Sequence, residues 1–216
     1  MLITDIVRQV KNTNRYSIFI DGEFAFGISG TDLLYYKLEI GNEIPSALYE
    51  RLLNNVEFTK ARDCAVRYLG YAPRSRKEIL TKLESKGFSQ DNIQRAIEML
   101  TKNGYIDDAA FAAMYISHKS KINNFGKRKI VAHLIQKGVS KKDILAAYAQ
   151  QSSQENESEK AAAVRALEKK LRGKDLDLIA QDPKAVNRYV SFLVRRGFSY
   201  DVIKQAVAEC GIGDVV

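Results

Sequence analysis

One short pattern recurs three times along the chain: a basic residue, glycine, an apolar residue and serine. In each copy the basic residue suits the negative end of a preceding helix, and the glycine suits the left-handed position after it. The serine can then cap a following helix. The copies are Lys86-Gly87-Phe88-Ser89, Lys137-Gly138-Val139-Ser140 and Arg196-Gly197-Phe198-Ser199, with glycines 51 and 59 residues apart. This spacing is typical of helical repeats and predicts three helix–turn–helix units.

Each unit gains a third helix from the helical stretch that precedes it. These stretches cover residues 61–69, 108–118 and 159–171. Residues 150–158 interrupt the repetition as a linker or a frayed first helical turn, in which Ser152 and Glu155 fit a cap. Residues 172–183 form a longer connection. Between the first two units Gly104 ends one helix, and Asp107 or Asp108 caps the next.

The first 30 residues have a different pattern. Runs of β-branched and aromatic residues at 3–10, 16–20 and 24–28 predict three strands, and Asp21-Gly22 suits a type I′ hairpin. A helix over 31–37 or later residues should support this small sheet. Helical spacing resumes with Pro45 as first helical residue and continues in a second stretch over 59–69.

The predicted fold is mostly α: three tandem three-helix repeats in an elongated curved array, preceded by a small antiparallel three-stranded sheet. The predicted division is a β segment with a helix at 1–58 and repeats at 59–106, 107–151 and 152–216.

Charge is concentrated in the middle of the chain. The net charge is +8, and residues 60–151 alone hold 18 basic and 8 acidic side chains, a balance of +10. Residues 1–59 carry a balance of −3. Such a field attracts nucleic acid or an acidic protein surface. No apolar run is long enough to cross a membrane.

Catalytic and metal-binding patterns are weak, so we expect no enzyme activity, no metal and no cofactor. His118 and His133 lack ligand partners at metal-site spacing and are interpreted as surface or boundary residues. Asp107 and Asp108 fit a helix cap better than a nuclease site. The glycines form no phosphate-binding loop. Cys64 and Cys210 are expected to be buried free thiols in a reducing cytosol.

Basic residues recur where the second helix of a repeat begins. At a helix start a cation opposes the dipole, so helix stability does not explain this placement. Equivalent positions in a repeat array align, and we therefore predict a basic strip that binds a partner. Tyr71, Tyr115 and Phe125 could stack within it, although aromatic residues in helices more often belong to the core. The predicted binding residues are Arg67, Arg74, Arg76, Lys77, Lys121, Lys127, Arg128 and Lys129.

Residues 67–79, Arg-Tyr-Leu-Gly-Tyr-Ala-Pro-Arg-Ser-Arg-Lys-Glu-Ile, followed by Lys-Gly-Phe at 86–88 and Gly-Tyr-Ile-Asp-Asp at 104–108, resemble the RecX family of recombination regulators. Phe-Gly-Lys-Arg-Lys-Ile at 125–130 resembles the same family's helix opening, and residues 16–26 are similar to the extra amino-terminal segment of its longer members. The third repeat lacks such a basic opening and should complete the array more than grip the partner.

The resemblance implies a cytoplasmic, cofactor-free modulator of the RecA recombinase in homologous recombination, DNA repair and the SOS response. It implies a curved row of three-helix modules in the groove of the RecA–DNA filament that suppresses filament growth, ATP hydrolysis and strand exchange. We expect a monomer that contacts RecA and also single- or double-stranded DNA. Two alternatives remain: a free-standing, transcription-factor-like DNA-binding module, and a nuclease that uses Asp107 and Asp108.

Overall fold

A computed structural model of the chain describes residues 1–152 and 159–213, with Gln151 and Ser152 described for their backbone only. The elements divide between two compact units, Met1–Ala72 with Ile79–Tyr105 and Pro73–Glu78 with Ile106–Val216. The strands are β1 (Ile3–Arg8), β2 (Arg15–Ile20) and β3 (Glu23–Ser29). The helices are α1 (Gly30–Tyr35), α2 (Ser46–Tyr71), α3 (Arg76–Glu84), α4 (Gln90–Lys102), α5 (Asp108–Lys121), α6 (Lys127–Gln136), α7 (Lys141–Ser152), α8 (Glu159–Leu171), α9 (Leu176–Ala180), α10 (Pro183–Arg195) and α11 (Tyr200–Glu209).

The amino-terminal sheet has the predicted antiparallel order β1-β2-β3. At the hairpin Asp21 and Gly22 both have positive φ, 51° and 86°, as a type I′ turn requires. Ile18 pairs with Phe26 across the two strands, and both side chains are buried. The same apolar cluster includes Leu52 of α2, so this helix supports the sheet.

The two helical stretches predicted on either side of residue 58 are one continuous helix, α2. Its buried residues Leu52, Val56, Ala61 and Ala65 keep a helical spacing through the expected boundary between residues 58 and 59. No glycine or proline interrupts residues 46–69, so nothing ends the helix there. Pro45 is the cap and not the first helical residue, because its ψ of 145° is extended.

Three three-helix domains follow, as predicted. The first uses the end of α2 with α3 and α4, and the second uses α5, α6 and α7 around a core that includes Ile116, Ile130 and Leu134. The third uses α8, α10 and α11 around Leu167 and Leu193.

Two predicted interruptions differ in detail. Residues 172–183 are more than a connection, because Asp175 caps the short helix α9 and Asp182 caps α10 with Pro183 in its first turn. Ser152 is the last residue of α7 and does not begin a helix. The rest of the predicted linker, with Glu155, lies outside the described residues.

The three glycine turns have the predicted backbone. Gly87, Gly138 and Gly197 have φ of 76°, 82° and 88°. After the second and third glycines, Val139 and Phe198 donate their backbone N–H back to carbonyls of the preceding helix. Such bonds close the end of a helix on a left-handed residue.

The serine after each turn caps the next helix in two of the three repeats. The Ser140 hydroxyl accepts from the Asp143 N–H, and the Ser199 hydroxyl accepts from the Val202 N–H. Ser89 lies at the cap position before α4, but its side chain accepts no hydrogen bond from the backbone of that helix. Its N–H and hydroxyl donate instead to Glu57 of α2, because that carboxylate is the stronger acceptor within reach. The hydrogen bond from the Ser89 N–H is the main reason that the pKa of Glu57 is lowered.

Candidate partner-binding surface

The predicted binding residues occupy the start of α3, the end of α5, the start of α6 and the exposed side of α2. Arg67 is the member on α2 and belongs to the first unit. The other seven belong to the second unit: Arg74, Arg76, Lys77, Lys121, Lys127, Arg128 and Lys129. These seven do not share one environment, because several are engaged by neighbouring helices.

Lys77 and Lys129 are held at the ends of helices in the following repeats. The Lys77 ammonium donates to the carbonyl of Gln136, the last residue of α6, at 3.1 Å. The Lys129 ammonium lies 3.4 Å from the carbonyl of Arg195, the last residue of α10. A cation is favourable at a helix C-terminus. Helix stability therefore does explain these two lysines, contrary to the premise that led us to predict them as binding residues.

Hydrogen bonds to backbone carbonyls hold both helix openings at equivalent places. The Ser75 hydroxyl donates to the Lys137 carbonyl at 2.7 Å, and the Gly126 N–H donates to the Arg196 carbonyl at 2.9 Å. Lys137 and Arg196 are the residues that precede the repeat glycines. The opening of α3 therefore docks on the turn after α6, and the opening of α6 docks on the turn after α10.

Close packing at these docking contacts explains three of the glycines. A Cβ on Gly138 would lie 2.6 Å from the Lys77 Cβ, and one on Gly197 would lie 2.4 Å from the Lys129 nitrogen. A Cβ on Gly126 would meet the Gly197 backbone at 2.4 Å. Around Gly87 a Cβ would meet nothing within 4 Å.

Glu78 organises the opening of α3. Its carboxylate accepts from the Ser75 N–H while the Ser75 hydroxyl accepts from the Glu78 N–H, which is a capping box. The same carboxylate pairs with Lys137 at 2.6 Å and with Arg74 at 3.8 Å. Burial raises the pKa of Glu78, but the hydrogen bonds from Lys137 and Ser75 outweigh it and leave the pKa below its ordinary value. Arg74 is thus engaged within the domain.

Five predicted residues are exposed in the second unit: Arg76, Lys77, Lys121, Lys127 and Arg128. Lys77 is held at the end of α6, and within the described residues the other four have no such contact with a helix end. Arg76 and Arg128 lie in the first turns of α3 and α6, where the helix dipole disfavours a cation. The Lys127 ammonium lies 4.9 Å from the centre of the Tyr148 ring. These exposed residues are the part of the predicted strip that a partner can reach.

A cation–aromatic surface in the second and third repeats extends beyond the predicted strip, of which it shares Lys129, Tyr115 and Phe125. We use this name for Lys119, Lys129, Lys137, Lys170 and Arg196 with the rings of Phe111, Tyr115, Phe125 and Phe192. Lys119 and Lys137 lie 5.3 and 5.7 Å from the Tyr115 ring centre. Lys129 lies 4.4 Å from the Phe125 ring centre, and cations at such distances are attracted to the ring face.

Arg196 connects the two repeats within this surface. Its guanidinium lies 5.6 Å from the Phe125 ring centre and 4.9 Å from that of Phe192. It also donates to the Asn123 and Asn124 carbonyls, and burial lowers its pKa. The sequence signal was the basic residue before each repeat glycine, which was interpreted only as a helix-dipole partner. The aromatic partners are 71 and 4 residues away, so local patterns could not reveal both.

His133 lies among the lysines of the cation–aromatic surface. Burial is the main reason that its pKa is lowered, and the charges of Lys129, Lys119 and Lys137 lower it further. Its Nδ1 lies 3.3 Å from the Tyr115 hydroxyl. The imidazole is therefore neutral at pH 7 and adds no charge. As predicted, it is a boundary residue, and His118 is exposed.

The carboxylates weighed as nuclease ligands are used by helix starts. Asp107 accepts from the N–H groups of Ala109 and Ala110, so of the two predicted candidates it is the one that caps α5. Asp108 accepts from the Arg76 N–H at 2.8 Å. Burial raises the pKa of Asp108 despite that bond. No cluster of three or more metal-ligating side chains occurs among the residues described.

The remaining singled-out residues have ordinary environments. Tyr71 is 85% exposed, whereas Tyr115 and Phe125 pack against the core of the second repeat. Cys64 and Cys210 are free but only partly buried, and burial raises the pKa of the Cys210 thiol to about 11. Within the described ranges no helix is long and apolar enough to cross a membrane.

The folded elements define a class of protein built from a small antiparallel sheet and three consecutive three-helix domains. Family models assign each part: the regulatory protein RecX N-terminal domain matches residues 1–45, and the first, second and third RecX three-helix domains match 61–100, 107–147 and 157–207. The chain belongs to the RecX family.

Relatives along the whole chain carry the same name. A regulatory protein RecX of Clostridium botulinum (strain Eklund 17B / Type B) is 32% identical over 96% of this chain and 95% of its own. Another of Bacillus subtilis (strain 168) is 34% identical over 95% of this chain and 75% of its own. A crystal structure of regulatory protein RecX matches with a TM-score of 0.69 and 25% identity, over 93% of this chain and 96% of that one. Membership in this family of regulatory proteins is thus consistent from sequence to fold.

Proposed function

We propose that this protein binds the RecA–DNA filament and inhibits filament growth, ATP hydrolysis and strand exchange in recombination and repair. The observation that carries the proposal is the RecX assignment of all four parts of the chain. A filament of protein on DNA carries phosphates, and it is a partner that an exposed basic surface can recognise. The proposal includes a monomeric, cytoplasmic protein without cofactor or catalytic activity.

The contact residues proposed on the second unit are the exposed Arg76, Lys121, Lys127 and Arg128. Lys77 and Lys129 support their placement, because they hold the openings of α3 and α6 on neighbouring helices. Arg74 pairs with Glu78 within the opening of α3. Arg67 is proposed as a contact on the first unit. In this proposal the net positive charge of these exposed side chains attracts the partner electrostatically.

The decisive test measures RecA ATPase and filament growth on single-stranded DNA while the protein is titrated in. The double variant Arg76→Gln and Arg128→Gln should require at least a 10-fold higher concentration for half-maximal inhibition, since two charged contacts are lost. Neutral glutamine avoids placing a second carboxylate beside Asp108, and it removes cations that the helix dipoles disfavour. The variant should therefore fold normally.

The matched control is Lys141→Gln with Lys142→Gln. These lysines are also exposed, begin helix α7 of the same unit and remove the same charge. Equal loss of inhibition in both double variants would disprove the site assignment. A protein that leaves RecA unaffected but binds one preferred duplex sequence would disprove the proposed function and favour a free-standing DNA-binding module.

A further inference from the structure

The third repeat contains a basic groove of about 890 Å³ between the end of α8, the helix α9 and one side of α10. Its charged lining consists of Lys170, Lys174, Lys184, Arg188, Arg195 and Asp175. Five cations thus face one carboxylate. This repeat was expected to complete the array more than grip the partner, because it lacks a basic helix opening. The cations of the groove come instead from two helices and a loop.

Helix stability accounts for only part of this charge. Lys170 and Arg195 lie in the last turns of α8 and α10, where a cation is favourable. Lys184 lies in the first turn of α10, where the dipole disfavours a cation. Asp175 accepts from the Leu178 N–H and caps α9. Asp182 caps α10 and lies 3.7 Å from Arg188, whose side chain is 76% exposed. Even with both aspartates counted, the groove keeps an excess of three positive charges.

Aromatic side chains lie beside the cations. Tyr189 and Phe192 line the groove and pack against the core of the third repeat, which fixes their positions. Lys170 lies 5.8 Å from the Phe192 ring centre. Cations that follow a phosphate backbone, together with rings on which bases stack, are the combination found in single-strand binding grooves. In a duplex the base faces are already stacked and are not offered to side chains.

We propose that this groove binds a single strand of nucleic acid, with Lys174, Lys184 and Arg188 contacting phosphates and Tyr189 supporting a base. The inference rests on the proposed function only in that a regulator of a nucleoprotein filament meets single-stranded DNA. The groove acts without RecA. An acidic protein segment would fit the charges of the groove, but it would leave the rings of Tyr189 and Phe192 without a role.

The test is fluorescence anisotropy of a labelled oligodeoxythymidine with the full chain and no RecA. In the Lys174→Gln, Lys184→Gln variant the slope of log affinity against log salt should become shallower by about 1.4, the value for two phosphates on a single strand. This corresponds to roughly 25-fold weaker binding at about 0.1 M salt. The matched control is Lys169→Gln with Lys204→Gln, two exposed lysines of the same repeat outside the groove. Equal effects of the two pairs would overturn the proposal.

A second variant tests whether the ring of Tyr189 supports a base. Tyr189→Leu keeps an apolar side chain against the core and should weaken oligonucleotide binding at least about 5-fold, with the salt slope unchanged. Equal affinity for a duplex of the same length, or displacement by polyglutamate as effective as by unlabelled oligonucleotide, would overturn the single-strand assignment. A wild-type protein that binds the oligonucleotide but does not inhibit RecA would refute the proposed function alone. A wild-type protein that inhibits RecA but does not bind the oligonucleotide would refute only the binding of a single strand in the groove.

Discussion

Gly87, Gly138 and Gly197 occupy the same place in three repeats but have different surroundings. All three have positive φ, which disfavours a side chain, while only the last two lie against a neighbouring helix opening. Alanine at 87 should lower the free energy of unfolding by about 1 kcal/mol. Alanine at 138 or 197 should cost roughly 2–4 kcal/mol, since a clash adds to the strain.

Urea denaturation of the full-length variants measures these differences. Gly197→Ala should cost most, because its Cβ would meet the Lys129 backbone, whereas at 138 it would meet a lysine side chain. Gly104→Ala is the matched control, with φ of 74° and open space around the Cβ. Equal costs at 87, 138 and 197 would show that the docking contacts do not exist in solution.

Glu78 makes the docking of α3 depend on pH. Its pKa is lowered in the folded protein, so its contribution to stability is present above its ordinary pKa and is lost as the pH falls through the lower folded value. We expect the stability difference between the wild type and Glu78→Gln to shrink below about pH 4.3. Urea midpoints measured from pH 7 to pH 3 test this. A difference that stays constant over that range would contradict the ion pair with Lys137.

At the scale of single elements, the largest difference between prediction and structure is the length of α2. The repeat pattern was interpreted as starting with a separate helix near residue 59, and the structure has one helix from Ser46 to Tyr71. The reason is that the pattern identifies a repeat only by its turn. The turn says nothing about how far the first helix extends towards the amino terminus.

Thr59→Pro tests the continuity of this helix. In the interior of α2 a proline should lower the free energy of unfolding by about 3 kcal/mol, since it removes a hydrogen bond and clashes with the preceding turn. Thr59→Ala is the control and should have little effect. The measurement is urea denaturation with circular dichroism. A tolerated proline would indicate two helices with a flexible junction.

At the scale of the whole molecule, the proposed function makes inhibition of RecA depend on the uneven charge of the chain. The excess of +10 over residues 60–151 predicts inhibition of RecA that weakens with salt. Between about 50 and 200 mM salt we expect the half-maximal concentration to rise roughly 20-fold, the value for three phosphate contacts on a single strand. The Arg76→Gln, Arg128→Gln variant should show a shallower dependence. Inhibition that is independent of salt would refute an electrostatic contact.

The sequence alone predicted the fold class correctly, and it singled out cations whose surroundings the structure then distinguished. Arg76 and Arg128 are visible as cations at helix starts, and the structure leaves them exposed. Lys77 and Lys129 look the same in sequence, yet their ammonium groups contact helix ends 59 and 66 residues further along the chain. The groove of the third repeat escaped prediction because its cations come from separate elements.

By itself the sequence determined the features that neighbouring residues set. These are the Asp21-Gly22 hairpin, the left-handed glycine turns and a helix cap at Asp107 or Asp108. Each depends on φ values and hydrogen bonds within about four residues, so local chemistry is sufficient. Only the tertiary structure decided which basic side chains serve folding and which remain free for a partner. That distinction depends on contacts between residues far apart in the chain, and a spacing pattern does not contain them.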